Sequence, residues 1–401
     1  MSLAIRNILV IDGTGAKLER ATVVVDGDRI AAVGPDSRVK IPRRSRVIEG
    51  RGRALLPGLI DCHVHYCLDA SPDTIRTLEQ DDPTVTAIKA VAHARATLEA
   101  GITTVRDVGS RGHISISVAR AIKAGVIPGP RTLNAGLVIC MPGGHAWFIG
   151  RQADGPDEIV KAVREQVRAG ADVIKFIATG GVLTPGTSPG AAQLTPEELR
   201  AGVEEAVRAG RRVAAHAHGA EGMKNALRAG VHSIEHGTLL DDEALDLFLE
   251  RRTFLVPTLS AIQSGFEHGK TGGMQDEALE KCAGMADAQR KSFRKAVKAG
   301  VRIAMGTDAG TPLNPHGRNA QELRRMVQFG MTAMQAIEAA TRSAAILLGL
   351  EQEIGTVEAG KQADLLVVKG NPLDDIALLE ESARLEYVIQ GGKIVRGNDE
   401  F

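Results

Sequence analysis

The chain has 401 residues, 43% of them apolar, and its 49 Lys and Arg residues balance its 49 Asp and Glu residues. This length exceeds the size at which a single core stops growing, so we expect one large domain and a smaller one. The zero net charge, without a basic stripe, argues against nucleic-acid and membrane partners, and no apolar stretch has the length of a membrane span. The N-terminus lacks a signal-peptide pattern and the 4 cysteines are too scattered for a disulfide framework, so we expect a cytoplasmic protein.

Both ends of the chain are predicted to form short strands. Residues 1–54 contain apolar alternations such as "ATVVVDGDRIAAVG", with the hairpin turn Asp26-Gly27 inside this one. The C-terminal segments "ADLLVVKGNP" and "LEYVIQGGKIVRG" have the same character. Because neither end is long enough for a stable sheet alone, we expect residues 1–56 and 350–401 to pair into one small β-sandwich domain.

Between the ends, one phrase recurs: a helical pattern that ends in Ala-Gly, followed by an apolar run. Examples are "VRAGADVIKF", "LRAGVHSIEH" and "VKAGVRIAMG". Each predicts a helix with a glycine C-cap and then a buried strand. This alternation over residues 57–349 is typical of a (β/α)8 TIM-like barrel of the α/β class. An open doubly wound sheet is the alternative, although no GxGxxG loop follows an early strand.

Residues of the metal-ligand type stand at the predicted carboxyl ends of successive barrel strands, where the active sites of such barrels lie. One His-x-His pair alone would be a weak signal, because it also occurs as a surface pair. Here 5 of the 11 histidines and one aspartate share this position, and imidazole with carboxylate suits zinc or a similar divalent metal. The residues concerned are His63 and His65, His216 and His218, His236, and Asp308.

Lys175 lies in the middle of the apolar run "VIKFI", which precedes the strand of His216. A buried ammonium is costly unless it is paired or neutralised. It cannot ligate a metal, and metal ions in the same barrel mouth would repel it. The residues alone leave two solutions open: the lysine loses its proton, or it pairs with a neighbouring acid such as Asp172 or Asp107.

Seven motifs spread over the chain share the pattern of one family. They are "PGLIDCHVH" (57–65), "GITTVRDVG" (101–109), "GADVIKFIATGG" (170–181), "VAAHAHG" (213–219), "IEHGT" (234–238), "GTDAG" (306–310) and "AGKQADLLVV" (359–368). On these motifs the chain resembles the metal-dependent amidohydrolase superfamily over essentially its whole length. Within it, the chain is most similar to the imidazolonepropionase-related branch that includes prolidase-like dipeptidases.

The resemblance implies a centre with two divalent metal ions, for which we expect Zn²⁺. Members with a lysine on this strand carry it carbamylated, which implies a CO2-derived carbamate on Lys175 that bridges both ions. The implied protein ligands are His63, His65 and Asp308 for one ion, and His216 and His236 for the other, with Lys175 shared.

Two adjacent cations imply a mechanism. A bridging water would be acidified to hydroxide near neutral pH, and one metal would polarise the substrate carbonyl. The hydroxide would attack, and the resulting oxyanion would be held by a metal and by side-chain donors. Asp308 would take the hydroxide proton and pass it to the leaving amine.

Two further histidines are candidates for substrate contact and catalysis. Family members with a "GGH" like that of "MPGGHAWF" place this histidine, here His145, near the scissile carbonyl. His218 should face the same cavity as His216 and could donate to the oxyanion or to a substrate carboxylate. Some dipeptidase-type relatives have a tyrosine at that position, so His218 argues against strict dipeptide specificity. Residues at the start of barrel-mouth loops complete the predicted pocket: Tyr66, Trp147, Thr258 and His316.

The interpretation we favour is a binuclear metal-dependent hydrolase of amide or peptide-like C–N bonds, either a dipeptidase or an N-acyl amino-acid hydrolase. The alternative is a mononuclear zinc amidohydrolase that acts on a heterocycle, as a deaminase or a cyclic-amide or lactone hydrolase. Deaminases of this kind carry a catalytic glutamate beside the His216-type ligand, whereas this chain has Ala215 and Ala217 there. A metal-binding barrel without turnover is a further alternative, which would have little need for Asp308. We expect a small-molecule substrate, and the sequence leaves a homo-oligomer open.

Overall fold

The structure is a computed structural model that describes residues 2–397. The strands are β1 (Leu3–Ile11), β2 (Lys17–Asp26), β3 (Arg29–Pro35), β4 (Arg46–Glu49), β5 (Arg53–Pro57), β6 (Leu59–Val64), β7 (Ile102–Asp107), β8 (Arg131–Asn134), β9 (Val138–Cys140), β10 (Gly150–Gln152), β11 (Val173–Ile177), β12 (Arg212–Ala217), β13 (Ser233–His236), β14 (Phe254–Val256), β15 (Arg302–Ile303), β16 (Leu365–Lys369), β17 (Leu385–Gln390) and β18 (Lys393–Gly397). The α-helices are α1 (Thr74–Gln80), α2 (Pro83–Glu99), α3 (Ile114–Lys123), α4 (Gly155–Ala169), α5 (Pro196–Arg208), α6 (Ala220–Ala229), α7 (Asp242–Arg251), α8 (Leu259–Gly272), α9 (Asp276–Ala299), α10 (Gln321–Gln328), α11 (Ala333–Ala339) and α12 (Arg342–Leu348).

The two chain ends form a single sheet, in the order β18-β17-β16-β5-β1-β2-β3, with β4 paired to β1. The junction between the ends is the antiparallel pair β16–β5, in which Leu366 lies opposite Leu56. Apolar side chains from both arms of the sheet share one buried cluster, which includes Ile5, Val23 and Val367. The two arms therefore enclose a common core, as the sequence predicts for a small β domain built from both ends.

The middle of the chain forms the predicted (β/α)8 barrel, whose eight strands are β6, β7, β8, β11, β12, β13, β14 and β15. Strands β11 to β15 pair in parallel with their neighbours. The ring closes through backbone hydrogen bonds between β6 and the segment after β15, such as Asp308 N to His63 O at 2.7 Å. On the other side, Asp172 N donates to Asn134 O at 2.8 Å and links β8 with the start of β11.

Local sequence signals determine where the barrel helices begin and end, and therefore where the next strands begin. Thr195 caps α5 by a capping box with Glu198, and Pro196 occupies the first turn. Helices α4 and α6 end at Gly170 and Gly230, which have φ values of 105° and 92° that favour glycine. Each turn then leads directly into a buried strand, so the next strand end returns to the same face of the barrel.

The chain divides into two compact units. One comprises the described residues up to Ile60, residues 96–104 and those from Gly317 onward; the other comprises Asp61–Arg95 and Val105–His316. All candidate site residues lie in the second unit. The predicted domain boundaries at 56/57 and 349/350 stay predictions, and their outer ends, residues 1 and 398–401, lie outside the described residues. Among the helices of residues 2–397, none is both long and apolar enough to cross a membrane.

Candidate metal centre

The carboxyl ends of the barrel strands surround one cavity with an empty volume, including its mouth, of about 750 Å³. Parallel strands place their ends at one edge, so residues far apart in sequence meet there. Eight of the polar side chains that line the cavity are sequence candidates: His63, His65, His145, Lys175, His216, His218, His236 and Asp308. All eight are buried, so water contributes little to their stabilisation and each needs a protein or ligand partner.

His63, His65 and Asp308, the first group, offer ligand atoms that all lie within 4.8 Å of one another. Asp308 Oδ1 lies 3.3 Å from Nε2 of both histidines. The other ring nitrogen of each histidine is occupied, since Nδ1 of His63 lies 2.8 Å from Glu235 Oε2 and Nδ1 of His65 lies 2.8 Å from Gly109 O. Both rings therefore direct Nε2 towards the Asp308 carboxylate, which is the arrangement that a shared cation requires.

His216, His218 and His236, the second group, meet the same 4.8 Å criterion. His216 Nε2 lies 3.0 Å from Gly180 O, so Nε2 carries the proton and Nδ1 is the free nitrogen of this ring. The Nδ1 atoms of His218 and His236 instead face the hydroxyls of Thr238 and Thr258, at 2.8 and 2.6 Å. Burial holds the pKa of His216 and of His236 well below the usual histidine value, so these rings are neutral and have a lone pair for a metal.

Lys175 projects into the cavity with 2% of its surface exposed, and its Nζ atom has no hydrogen-bond partner among the described residues. Desolvation lowers the pKa of this ammonium to about 8. The acids considered as partners are engaged elsewhere: Asp107 accepts from the backbone N–H of Tyr66 at 2.9 Å, and Asp172 binds Asn134. The lowered pKa makes the neutral amine easier to reach near neutral pH, and neither Asp107 nor Asp172 pairs with the lysine.

A buried ion pair behind the first group is absent from the sequence predictions. Arg106 donates from Nη2 to Glu235 Oε1 at 2.8 Å, and the second oxygen of this carboxylate holds His63. Burial alone would raise the pKa of Glu235, but the charge of Arg106 in the first place, together with the hydrogen bond to His63, lowers it to about 2. Strand alternation predicts that Glu235 faces away from the cavity, because it precedes the cavity-facing His236. The left-handed φ of 74° at His236 breaks this alternation, so the side chains of Glu235 and His236 both point into the barrel. The available signal was Arg106 itself, a charge in the apolar strand "ITTVRD".

His145 and His218 both line the cavity, as expected for substrate contacts. The ring centroid of His145 lies 4.5 Å from that of His216, and its Nδ1 lies 2.8 Å from Thr184 Oγ1. Burial lowers the pKa of both His145 and His218 to about 3, so both are neutral donors. The His145 ring packs directly on Gly181, where a Cβ atom would lie 2.3 Å from it, so this glycine is what admits the ring.

The structure places four predicted pocket residues outside the cavity lining: Tyr66, Trp147, Thr258 and His316. Tyr66 follows cavity-facing His65 and is fully buried on the opposite side. Trp147 is 41% exposed, and its neighbour Phe148 lines the cavity instead. Thr258 lies behind the ring of His236. His316 Nε2 faces the carbonyls of His65 and Leu68, both at 3.2 Å, and so supports the first strand end from behind.

Comparison with known proteins agrees with this geometry. The sequence model of the amidohydrolase family matches residues 54–395. Ochratoxinase from Aspergillus niger is 36% identical over 422 aligned residues, which cover 97% of this chain and 85% of that protein. A crystal structure of a Xaa-Pro dipeptidase with bound methionine in the active site is 39% identical, with a TM-score of 0.92 over 99% of this chain and 100% of that one. A prolidase complexed with N-methylphosphonate-L-proline is 32% identical, with a TM-score of 0.91 over the same shares.

The family match covers more than half of the chain, and it includes every strand end that carries a candidate ligand. It confirms the resemblance inferred from the seven motifs, together with the hydrolytic activity that the resemblance implies. The chain therefore belongs to the amidohydrolase family of metal-dependent hydrolases.

Proposed function

We propose that the protein uses two metal ions to hydrolyse the amide bond of a dipeptide or an N-acyl amino acid. The observation that carries this proposal is the shared cavity, in which two groups of metal-ligand type lie beside a buried lysine without a partner. The relatives support the choice of substrate, since a Xaa-Pro dipeptidase and a prolidase are among them.

The side chains fit two divalent ions. Groups of imidazoles, with or without a carboxylate, are typical of zinc sites. The unpartnered Lys175 Nζ fits a carbamate, an anion with two oxygens that removes the buried cation. We assign His63, His65 and Asp308 to one ion and His216 and His236 to the other, with carbamylated Lys175 shared. With His216, His236 and the shared carbamate assigned to the second ion, His218 remains available to bind the substrate.

When bound, the two ions would acidify a water molecule and polarise the scissile carbonyl. Asp308 then serves as the base, because its buried carboxylate lines the cavity and the neighbouring His63 and His65 hold its pKa well below the usual value. It accepts a proton from the attacking water and returns it to the nitrogen of the leaving amine. Neutral His145 and His218 donate hydrogen bonds to the carbonyl oxygen and to a substrate carboxylate, the roles that fit their place beside the second group.

The rest of the cavity selects for apolar substrate groups. Apart from the polar candidates, its wall is formed mainly by apolar side chains. An apolar side chain bound there removes its surface from water, which contributes roughly 25 cal/mol per Å². The apolar residues of this wall include Leu68, Phe148, Ile149, Val182, Leu183, Ile262, Met274 and Pro312.

The first experiment measures metal content and intact mass of the wild type and of Lys175→Ala, with the exposed Lys40→Ala as the matched control. We expect two metals per chain and the added mass of one CO2 in the wild type and in the control, and loss of both the added mass and activity in Lys175→Ala. A panel of dipeptides, N-acyl amino acids and heterocyclic amides identifies the substrate class. One metal per chain, unaffected by Lys175→Ala, would contradict the binuclear centre and favour the heterocycle-directed alternative.

We also infer a cytoplasmic location. All four cysteines, Cys62, Cys67, Cys140 and Cys282, are free and buried. Unpaired thiols are typical of a reducing compartment, where disulfides do not persist. Fractionation of the native host, with the protein detected by antibody, tests this inference.

A further inference from the structure

Helix α9 carries three polar side chains on the side that faces the barrel mouth. Lys281, Gln289 and Ser292 recur at spacings of eight and three residues, which the helical period places on one face. Gln289 and Ser292 are buried, and Lys281 is mostly covered. None of the three contributes to the cavity lining, so the metal-centre geometry alone gives them no role.

Each of these side chains binds the backbone at a threonine. The contacts are Lys281 Nζ to Thr184 O at 3.0 Å, Ser292 Oγ to Thr238 O at 2.7 Å, and Gln289 Nε2 to Pro257 O at 3.1 Å and Thr258 O at 3.5 Å. The loop of Thr184 has a second tie to the helix, because Gly186 N donates to Glu277 Oε1 at 2.9 Å. One helix face thus fixes three chain segments that are distant in sequence.

The same three threonines hold three histidines of the cavity. Their hydroxyls lie at Nδ1 of His145 (Thr184, 2.8 Å), His218 (Thr238, 2.8 Å) and His236 (Thr258, 2.6 Å). The threonines are buried, so water cannot replace the hydroxyl contacts. Because the occupied nitrogen determines which way a ring faces, each pair sets the nitrogen that reaches the cavity.

We propose that Thr184, Thr238 and Thr258 are positioning residues for the cavity histidines, and that one face of α9 fixes these threonines in place. The roles of the histidines rest on the proposed function, whereas the positioning of their rings does not.

The contact between Thr184 and His145 determines the tautomer of the His145 ring. Ala146 N donates to Thr184 Oγ1 at 3.1 Å, which occupies one lone pair of the hydroxyl. Among the described residues, the remaining acceptor for the hydroxyl proton is His145 Nδ1 at 2.8 Å. The His145 proton then resides on Nε2, which faces the cavity as a donor towards the substrate carbonyl.

The test compares Thr184→Val, which keeps the shape and removes the hydroxyl, with Thr184→Ser, which keeps the hydroxyl. Thr253→Val is the matched control, a buried threonine on the same barrel whose hydroxyl binds Val231 O rather than a histidine. On the zinc-loaded enzyme with its best amide substrate, we expect kcat to fall about 10–100-fold in Thr184→Val, with KM and metal content near the wild type. Thr184→Ser and Thr253→Val should both retain wild-type kcat.

A spectrum provides a readout that is independent of turnover. In ¹⁵N-histidine-labelled zinc enzyme, the imidazole nitrogens of His145, assigned with His145→Gln, should show the Nε2–H tautomer in the wild type and in Thr184→Ser. They should show a tautomer mixture in Thr184→Val. Unchanged His145 signals and unchanged kcat in Thr184→Val would overturn the proposal, as would an equal loss of kcat in Thr184→Ser.

Two variants test the link to α9. Lys281→Met and Ser292→Ala remove the ties to the Thr184 and Thr238 carbonyls, and each should reproduce part of the loss in kcat with KM unchanged. Full wild-type kcat in both would remove α9 from the proposal. If the wild type hydrolyses no amide, the proposed function fails, while the ¹⁵N spectra still decide whether the threonine sets the tautomer.

Discussion

The first group is held by a charged network and a backbone carbonyl, whereas two histidines of the second group are held by neutral hydroxyls. Behind His63 stands the Glu235 carboxylate, itself paired with Arg106 in the barrel interior. Behind His218 and His236 stand Thr238 and Thr258. Both arrangements fix Nδ1, but only the first stores a buried charge.

This difference predicts two different ways to fail. Removing one member of a buried ion pair leaves an uncompensated charge, so the first group couples metal binding to the stability of the barrel. Removing a hydroxyl leaves at most one unsatisfied ring nitrogen, so the second group should lose orientation before it loses stability. The cavity is therefore supported by a buried charged network on one side and by neutral hydroxyls on the other.

The largest expected effect follows from Arg106→Met, which leaves the Glu235 carboxylate buried without its cation. We expect the free energy of unfolding to fall by about 3–5 kcal/mol. Urea unfolding of the metal-loaded protein measures it. Arg106→Met combined with Glu235→Gln removes both charges and should recover much of the loss, although His63 is then held less firmly. A single variant as stable as the wild type would mean that the pair contributes nothing to the barrel.

Acid should expose the same pair. The pKa of Glu235 is lowered to about 2 from the usual 4.5, so its contribution is present above pH 4.5 and is lost as the pH falls towards 2. Urea unfolding at pH 7 and at pH 3 checks it, with Arg106→Met/Glu235→Gln as the reference. The stability gap between wild type and reference should narrow at pH 3; an unchanged gap would contradict the ionised state of Glu235.

Thr258→Val tests the neutral side. Because the hydroxyl orients His236 and carries no charge, we expect metal affinity to fall about 10–100-fold while the free energy of unfolding changes by about 1 kcal/mol. Titration with a competing chelator measures the affinity, and urea unfolding of the metal-free protein measures the stability. Stability loss as large as that of Arg106→Met would erase the distinction between the two sides.

Most candidate ligands of the metal centre could be predicted from the sequence, but few of the contacts that hold them in place could. The strand-end histidines and Asp308 were visible because a barrel brings strand ends together, and Lys175 was visible as a charge in an apolar strand. Glu235 was not predicted, because a positive φ at His236 breaks the alternation by which successive side chains of a strand are assigned to opposite faces. The ties from α9 to Thr184 and Thr238 join residues 97 and 54 positions apart, and no local pattern encodes such contacts.

The smallest expected effect concerns the neighbours Trp147 and Phe148, which follow His145 closely in the chain. The sequence favours Trp147 as the substrate contact, but the structure leaves it 41% exposed and directs Phe148 into the cavity. We expect Phe148→Ala to raise KM roughly tenfold for substrates with a large apolar group, because Phe148 is partly exposed and its loss should cost the lower end of the about 1.5–3 kcal/mol that full burial of such a side chain contributes. Trp147→Ala should leave kcat/KM within about twofold of the wild type, because surface substitutions change free energies by about 0.5 kcal/mol or less. Steady-state kinetics on a paired series of small and large apolar substrates separates the two, and a larger effect for Trp147→Ala would return the substrate contact to the residue that the sequence favours.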